Sequence, residues 1–160
     1  AMEFVSKIDL NIHCIGIMGF ADNAKMFSEL THEISSIESA INKLDCNASR
    51  VGYGNDNNPL GNAIDIFKFR EDSKNILIVL TDGVWSSQKQ AIKSSDYCRE
   101  VGYEVVAIGF GSADKKFLER ISTNSENALM TNLDNLVDSF GSIAQEISQS
   151  GGASGLKWNK

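Results

Sequence analysis

Three carboxylates with turn-forming neighbours are the side chains of this chain best placed to do chemistry. Asp22 follows the largely apolar segment 15–20, Asp56 lies in a loop rich in glycine and asparagine, and Asp82 stands in a Thr-Asp-Gly sequence. Carboxylate oxygens bind hard cations such as Mg²⁺ and accept hydrogen bonds from a partner. No histidine or cysteine lies where it would complete a catalytic pair with them. The pattern favours a binding site over a catalytic one.

Two of the residues near this site also have a structural interpretation. Asp82 can cap the helix that follows it or stabilise a turn, without contacting any ligand. Trp85 is either an exposed aromatic contact on a loop or a side chain folded down onto the neighbouring helix. The sequence leaves both pairs of alternatives open.

The segment before Asp82 determines where that carboxylate lies. Five apolar residues run without a break from Ile76 to Leu80. This is typical of a parallel strand that is buried on both faces. Because ligands bind at the carboxyl ends of strands in open α/β sheets, we expect Asp82 at the functional edge of a sheet.

Strand-like and helix-like segments alternate along the rest of the chain. We predict strands over 8–20, 25–30, 76–80, 103–110 and 128–130, and helices over 34–44, 60–69, 88–101, 113–122 and 136–147. This order predicts an α/β fold, a doubly wound and mostly parallel sheet of the Rossmann-like type with helices on both faces. Residues 8–148 form the predicted domain. We expect residues 1–7 to be vector residue and lead-in, and 149–160 to be a flexible tail.

Composition limits the classes of partner. The chain has 160 residues and a formal net charge of −6, and its 15 basic residues are scattered, so we expect no nucleic-acid partner. No apolar run approaches the roughly 18 residues needed to cross a membrane, so we expect no membrane contact. The three cysteines show no metal-binding spacing and are expected to be free buried thiols, which favours a reducing, cytoplasmic location.

Several motifs, in the order in which they occur, resemble those of a von Willebrand factor A (vWA) domain. The segment 15–24 resembles the family's second strand and hairpin turn, and Asn58-Pro59-Leu60-Gly61 resembles its Thr-Pro-Leu-Gly loop. Thr-Asp-Gly at 81–83 and Ile-Gly-Phe-Gly at 108–111 resemble the ends of its fourth and fifth strands. The resemblance implies a protein-binding module with a metal-ion-dependent adhesion site that holds a divalent cation, usually Mg²⁺.

The chain departs from the family at the metal site. Asp82 matches one ligand, but Asn58 stands where the family has a Thr ligand, and the Asp-x-Ser-x-Ser motif is absent. The first strand that carries that motif, central in the family's sheet, has no counterpart here. Another chain can donate this strand, residues 2–7 can substitute for it, or the second and fourth strands can pair directly; we expect one of the last two.

We therefore predict a protein-interaction module with a degenerate metal site. The metal ligands would be Asp82 and, weakly, Asn58, and the partner is another protein or another domain of the same parent protein. The partner-binding residues would be Asp22, Asn55, Asp56, Asn58, Asp82 and Trp85. Two alternatives remain: a metal- or nucleotide-binding enzyme domain that uses the same carboxylates, and a purely structural domain.

Overall fold

A computed structural model describes residues 1–46, 50–67, 70 and 73–153. The chain order is α1 (Met2–Lys7), β1 (Ile15–Phe20), β2 (Ala24–Thr31), α2 (Ile34–Cys46), α3 (Pro59–Phe67), β3 (Ile76–Thr81), α4 (Gln88–Glu100), β4 (Glu104–Gly109), α5 (Lys115–Ile121), a 3₁₀ turn (Ser125–Asn127), β5 (Ala128–Met130) and α6 (Leu133–Ser150). The predicted alternation of strands and helices is confirmed. The predicted end of α3 at 68–69 lies outside the described residues.

The strands form two separate sheets. Strands β3, β4 and β5 are parallel and lie in that order, whereas β1 and β2 form an antiparallel hairpin with two register shifts. Strand β4 is central in its sheet, and all six of its residues are buried. The mostly parallel α/β architecture that the sequence predicts is therefore present.

Two apolar clusters cover the two faces of the parallel sheet. On one face, Val105 and Ala107 of β4 pack with residues of α3, α4 and α5. On the other face, Val106 and Ile108 pack with Ile143 and other residues of α6. This alternation is the two-residue period of a strand whose side chains point to opposite sides of the sheet. Helices therefore lie on both faces, as predicted.

The prediction that β3 is buried on both faces is only partly right. Four of its six residues are half-buried, and only Val79 and Thr81 are buried. The reason is topological: β3 is an edge strand of the three-stranded sheet, with β4 as its one strand neighbour among the described residues. The fully buried strand of this chain is β4.

The expectations for the amino-terminal region are corrected by the structure. Residues 2–7 form a helix, which packs on α6 through an edge-to-face contact of Phe4 with Phe140, so they neither supply a strand nor serve as a lead-in. Strand β1 begins at Ile15 instead of residue 8, because Asp9 accepts the Asn11 N–H and turns the backbone. Direct pairing of β1 with β3 is also absent from the described strands.

Helix α6 extends to Ser150, so residues 149 and 150, which were predicted to begin a flexible tail, are helical. Gly151 ends the helix in the left-handed conformation, and Ala153 is buried with its N–H donated to the Glu104 carboxylate. Residues 154–160 of that tail lie outside the described residues. Within the described part of the chain, no helix combines the length and the apolar character needed to cross a membrane.

Candidate partner-binding rim

The carboxyl ends of β1 and β3 are joined by backbone hydrogen bonds to the loop between α2 and α3. The Asn57 N–H donates to the Ala21 carbonyl over 2.9 Å, and the Ser86 N–H donates to the Asn55 carbonyl over 3.0 Å. The Asn23 N–H donates to the Val51 carbonyl over 2.9 Å. We call the surface formed by residues 21–23, 51–58, 82–86 and 111–112 the rim. Because its loops are tied to one another, the rim is a single surface and not a set of independent loops.

Asp82 lies on the rim, as the sequence predicts. Its side chain is exposed, and its backbone carbonyl accepts the Ser112 N–H over 3.1 Å and the Ser112 hydroxyl over 2.9 Å. Helix α4 begins at Gln88, and its N-cap residue is Ser87, so Asp82 does not cap that helix. The capping alternative is therefore excluded, and the carboxylate of Asp82 points to solvent at the end of a strand.

Asp22 holds the neighbouring loop in place. Its carboxylate accepts the Tyr53 N–H over 3.2 Å. A Cβ atom at Gly54 would lie 1.8 Å from a carboxylate oxygen of Asp22, and one at Gly52 would lie 2.3 Å from the other. Only glycine therefore lets this loop pass so close to the carboxylate, and Gly52 also has a positive φ of 93°.

The remaining predicted rim residues occupy the same surface with different degrees of exposure. Asn55 and Asp56 are exposed, whereas Asn58 is half-buried. The Asn55 side chain lies against Gly83, where an added Cβ would approach it to 3.2 Å. The structure therefore brings Asp22, Asn55 and Asp82 onto one continuous surface.

Trp85 is not an exposed contact residue. It is 3% exposed, and its ring packs edge to face against Phe20 at 5.3 Å and Phe117 at 5.2 Å between ring centroids. Its indole N–H donates to the Thr81 hydroxyl over 2.9 Å, so the one polar atom of the ring is satisfied inside the core. The prediction that Trp85 contacts a partner is therefore wrong, because it is a core residue beneath the rim.

The exposed aromatic residue of the rim is Tyr53, which was not among the predicted partner-binding residues. Its side chain is 84% exposed, and Val84 nearby along the rim is 50% exposed. The signal in the sequence was the glycine on each side of Tyr53. A bulky residue held between two glycines in a polar loop has no neighbouring side chains to cover it.

Asn58 offers an oxygen that the described structure does not use. Its amide N–H donates to the Ser94 hydroxyl over 2.9 Å, which fixes the orientation of the amide group. Its amide oxygen is buried and has no hydrogen-bond partner, and the amide oxygen of Asn57 is in the same state. Unsatisfied buried polar atoms are rare, and a bound water or ion is one of their explanations. Both polar side-chain atoms of Asn127, which is not a rim residue, are in the same state within the described residues.

A second cluster lies at the opposite end of β1 from the rim. The Cys14 thiol is 3.0 Å from Nε2 of His32, and an Arg70 N–H donates to the Cys14 sulfur over 3.7 Å. Nδ1 of His32 is 2.6 Å from the Leu10 carbonyl, which only an N–H can satisfy. Nε2 therefore accepts the thiol proton in neutral histidine. The sequence predicted a buried free thiol at Cys14 and gave no sign of a contact with His32, because the two residues lie 18 positions apart.

Comparison with protein families gives a match over most of the chain. The family model of the von Willebrand factor type A domain matches residues 1–146. This chain belongs to the vWA family. Members of the family mediate protein interactions and often use a metal-ion-dependent adhesion site. Comparison with curated protein sequences gave no significant match.

Solved structures support the same fold. The vWF domain of the pilus tip protein Mfa5 from Porphyromonas gingivalis has a TM-score of 0.71 at 12% identity, with 98% of this chain and 87% of that chain covered. Manganese-loaded TRAP from Plasmodium vivax has a TM-score of 0.69 at 16% identity, with 87% and 62% covered. Proximal thread matrix protein 1 from the mussel byssus has a TM-score of 0.66 at 23% identity, with 90% and 39% covered. This vWA chain therefore spans well under half of the mussel protein.

Two of the similar solved structures hold a divalent cation. The mussel protein has also been solved with zinc in its adhesion-site motif, and the TRAP structure carries manganese. In the vWA chain, Asp82 and Asn58 supply oxygen donors of the type that Mg²⁺ prefers. Within the described residues, however, no group of three or more His, Cys, Asp or Glu side chains is placed to hold a metal ion. Asp82 and Asn58 alone are two oxygen donors, and the octahedral coordination of Mg²⁺ needs further oxygen ligands.

Proposed function

We propose that this vWA domain binds a partner protein through the rim and that its metal-ion-dependent adhesion site is degenerate. The observation that carries the proposal is the exposure of Tyr53, 84%, on a loop that backbone hydrogen bonds tie to the ends of β1 and β3. A rigidly presented aromatic residue is the type of side chain that most often dominates a protein interface. No chemistry by the domain itself is needed.

The carboxylates of the rim support the same proposal. Asp22 and Asp82 lie on the surface that presents Tyr53, and both are exposed. They form no ion pair with a Lys or Arg within the described residues. A partner that places a basic residue beside its contact with Tyr53 would complement this surface, and opposite charges would also speed association.

The proposal can be tested with peptides selected from a displayed random library against the folded domain. We expect selected peptides to lose most of their affinity for the variants Tyr53→Ala and Asp82→Ala. Tyr97→Ala is the matched control, because Tyr97 is 43% exposed but lies on α4, outside the rim. Each variant is first shown to unfold at the wild-type denaturant midpoint. Peptides that bind both rim variants as tightly as wild type would overturn the proposal.

A structural role within a larger protein is the second candidate. The vWA chain spans only 39% of the mussel protein, so a vWA unit can be one part of a longer chain. In that case the rim packs against another domain of the parent protein. The peptide selection distinguishes the two candidates. If the role is structural, isolated peptides should bind the rim weakly or not at all, and Tyr53→Ala and Asp82→Ala should not change their affinity.

A further inference from the structure

A groove of about 530 Å³ separates the two sheets. Both β1 and β3 line it, together with residues of α1 and α3, and the lining is mostly apolar. The carboxyl ends of the two strands are joined across the rim by the loop bonds of Asn55 and Asn57 described above. The two strands therefore run side by side in the same direction, with the groove between them.

The strand edges that face the groove have no backbone partner within the described residues. Among the described strands, β1 pairs only with β2, and β3 pairs only with β4. No backbone hydrogen bond joins β1 to β3 in this part of the chain. An unpaired strand edge is a row of donors and acceptors that another strand can complete. Here two such rows face the same space.

The register of β3 shows which groups point into the groove. The Glu104 N–H donates to the Asn75 carbonyl over 2.9 Å, and the Phe110 N–H donates to the Thr81 carbonyl over 3.1 Å. Residues of a strand alternate between its two neighbours, so 75, 77, 79 and 81 face β4. It follows that the backbone groups of Ile76, Ile78 and Leu80 point into the groove.

The apolar clusters on the two faces of β3 determine which side chains an inserted strand must carry. The faces of β3 belong to different clusters, with Leu77 in the cluster of α3, α4 and α5 and Ile78 in the cluster of α6. A strand between β1 and β3 would send alternate side chains into these same two apolar environments. The occupant must therefore be apolar on both faces. Because β3 has six residues, an occupant of the same length would span about 20 Å.

Charge at the two ends of the groove sets the direction of the occupant. The exposed carboxylates of Asp22 and Asp82 flank the carboxyl end of the groove, whereas Arg70 lines it near the amino end of β3. Lys74 also lies at the amino end, but its charge is compensated by an ion pair with Glu104 at 2.8 Å. A segment that runs parallel to β3 and is followed by basic residues would place those residues beside the carboxylates. The antiparallel direction would place them beside Arg70, where like charges repel.

We propose that this groove binds one extended segment of a partner polypeptide, which inserts as a strand between β1 and β3 and joins the two sheets. The segment has about six residues, is apolar on both faces, runs parallel to β3 and is followed by Lys or Arg. Main-chain hydrogen bonds supply the binding, and the two apolar faces supply the selectivity. The groove shares the Asp82 carboxylate with the rim but does not use the Tyr53 side chain, so Tyr53→Ala tests the rim function separately from the groove.

The probe is the synthetic peptide acetyl-Val-Ile-Val-Ile-Val-Ile-Lys-Lys-amide. In the free domain, we expect the amides of Ile76, Ile78 and Leu80 to exchange faster than those of Leu77 and Val79, as measured by NMR. The peptide should slow exchange of the first three by about tenfold or more, because each gains a hydrogen-bond partner or loses contact with water. The reversed peptide acetyl-Lys-Lys-Ile-Val-Ile-Val-Ile-Val-amide should bind more weakly, and a version with proline at its fourth position should give no protection.

A pair of variants tests the backbone contact in the protein itself. Ile78→Ala and Ile78→Pro both remove the side chain, but only proline removes the N–H that faces the groove. The ladder with β4 does not use that N–H, and proline is tolerated on strand edges of this kind. We expect Ile78→Ala to retain peptide-induced protection of Ile76 and Leu80 and Ile78→Pro to lose it.

Three results would overturn the groove proposal. One is slow exchange of the Ile76, Ile78 and Leu80 amides in the free domain, whether from internal pairing or from a dimer seen by sedimentation. Another is equal protection by the peptide and its proline version. The third is peptide-induced protection confined to the rim. If Ile78→Pro does not fold, the comparison of the peptide with its proline version still tests the groove proposal.

Discussion

Trp85 shows at the scale of a single residue how burial changes the role of a side chain. In the sequence, it lies three residues after Asp82 in a loop, where an aromatic contact residue is plausible. In the structure, its ring fills the space between Phe20 and Phe117 and its indole N–H is satisfied by Thr81. The exposed aromatic residue of the rim is instead Tyr53, which has a glycine on each side in the chain.

Replacement of Trp85 by alanine is therefore expected to act on stability. Loss of a fully buried Trp ring should lower the free energy of unfolding by about 3–5 kcal/mol, because transfer and cavity terms add. Urea denaturation measures the change, and Tyr53→Ala is the control that should leave stability almost unchanged. A Trp85→Ala domain of wild-type stability would show that the ring is not packed as described.

The contact between Cys14 and His32 predicts a selectively reactive thiol. Nε2 of His32 lies 3.0 Å from the thiol sulfur, where it can take up the proton as the sulfur attacks iodoacetamide. We expect Cys14 to be alkylated severalfold faster in the wild type than in His32→Gln, as followed by peptide mass spectrometry near neutral pH. His13→Gln is the matched control, because His13 is adjacent in sequence to Cys14. Equal rates in all three proteins would contradict this prediction.

At the scale of elements, helix α4 is fixed to the sheet by a buried face that includes Ala91, Ser95 and Cys98. Cys98 is 2% exposed and packs in the same cluster as Val105 and Ala107 of β4. Burial removes the thiol from water and raises its pKa from 9.0 to about 11, because the charged thiolate is disfavoured there. The packing of α4 on the sheet is therefore linked to the protonation of this thiol.

This linkage gives the stability of the domain a defined dependence on pH. Above pH 9 the thiol ionises in the unfolded chain but stays protonated in the folded chain until about pH 11. The folded state then binds more protons, so stability falls as pH rises through this window, by up to roughly 2–3 kcal/mol from this group. Urea denaturation of wild type and of Cys98→Ala across pH 8–11 measures it. The variant should lose this contribution, and equal pH profiles would contradict the assignment.

The parallel sheet shows which properties of an element the sequence encodes. Continuous apolar runs predicted both β3 and β4 as strands, and both are present. The runs do not show which strand is central, because an edge strand covered by helices on both faces is also apolar on both faces. Strand order decides this, and strand order depends on contacts between residues that are far apart in the chain.

For the whole molecule, the main consequence concerns the cation. The sequence matches the vWA family over residues 1–146. Among the described residues, however, no group of three or more Asp, Glu, His or Cys side chains is placed to hold a metal ion. Family membership by itself therefore does not establish metal binding by this chain. The cytoplasmic location suggested by the cysteines stays a prediction.

We expect Mg²⁺ and Mn²⁺ to bind no tighter than about 1 mM. At 1 mM cation the free energy of unfolding would then rise by only about 0.4 kcal/mol, since one-site linkage gives RT ln 2 when the ligand equals its Kd. Thermal denaturation with and without each cation measures the shift, and Asp82→Asn should remove what shift there is. A saturating shift at micromolar cation would show that the site is more complete than the described ligands indicate.

The sequence by itself determined the kinds and order of the strands and helices from β1 onward, the family and the position of Asp82 at the end of a strand. These are local properties, fixed by apolar periodicity and by turn residues within a few positions of one another. Only the tertiary structure decided that Trp85 is buried, that Cys14 meets His32 and that β1 and β3 stay apart. Each of these depends on which distant segments pack together, and the groove between β1 and β3 exists because the described chain places no strand there.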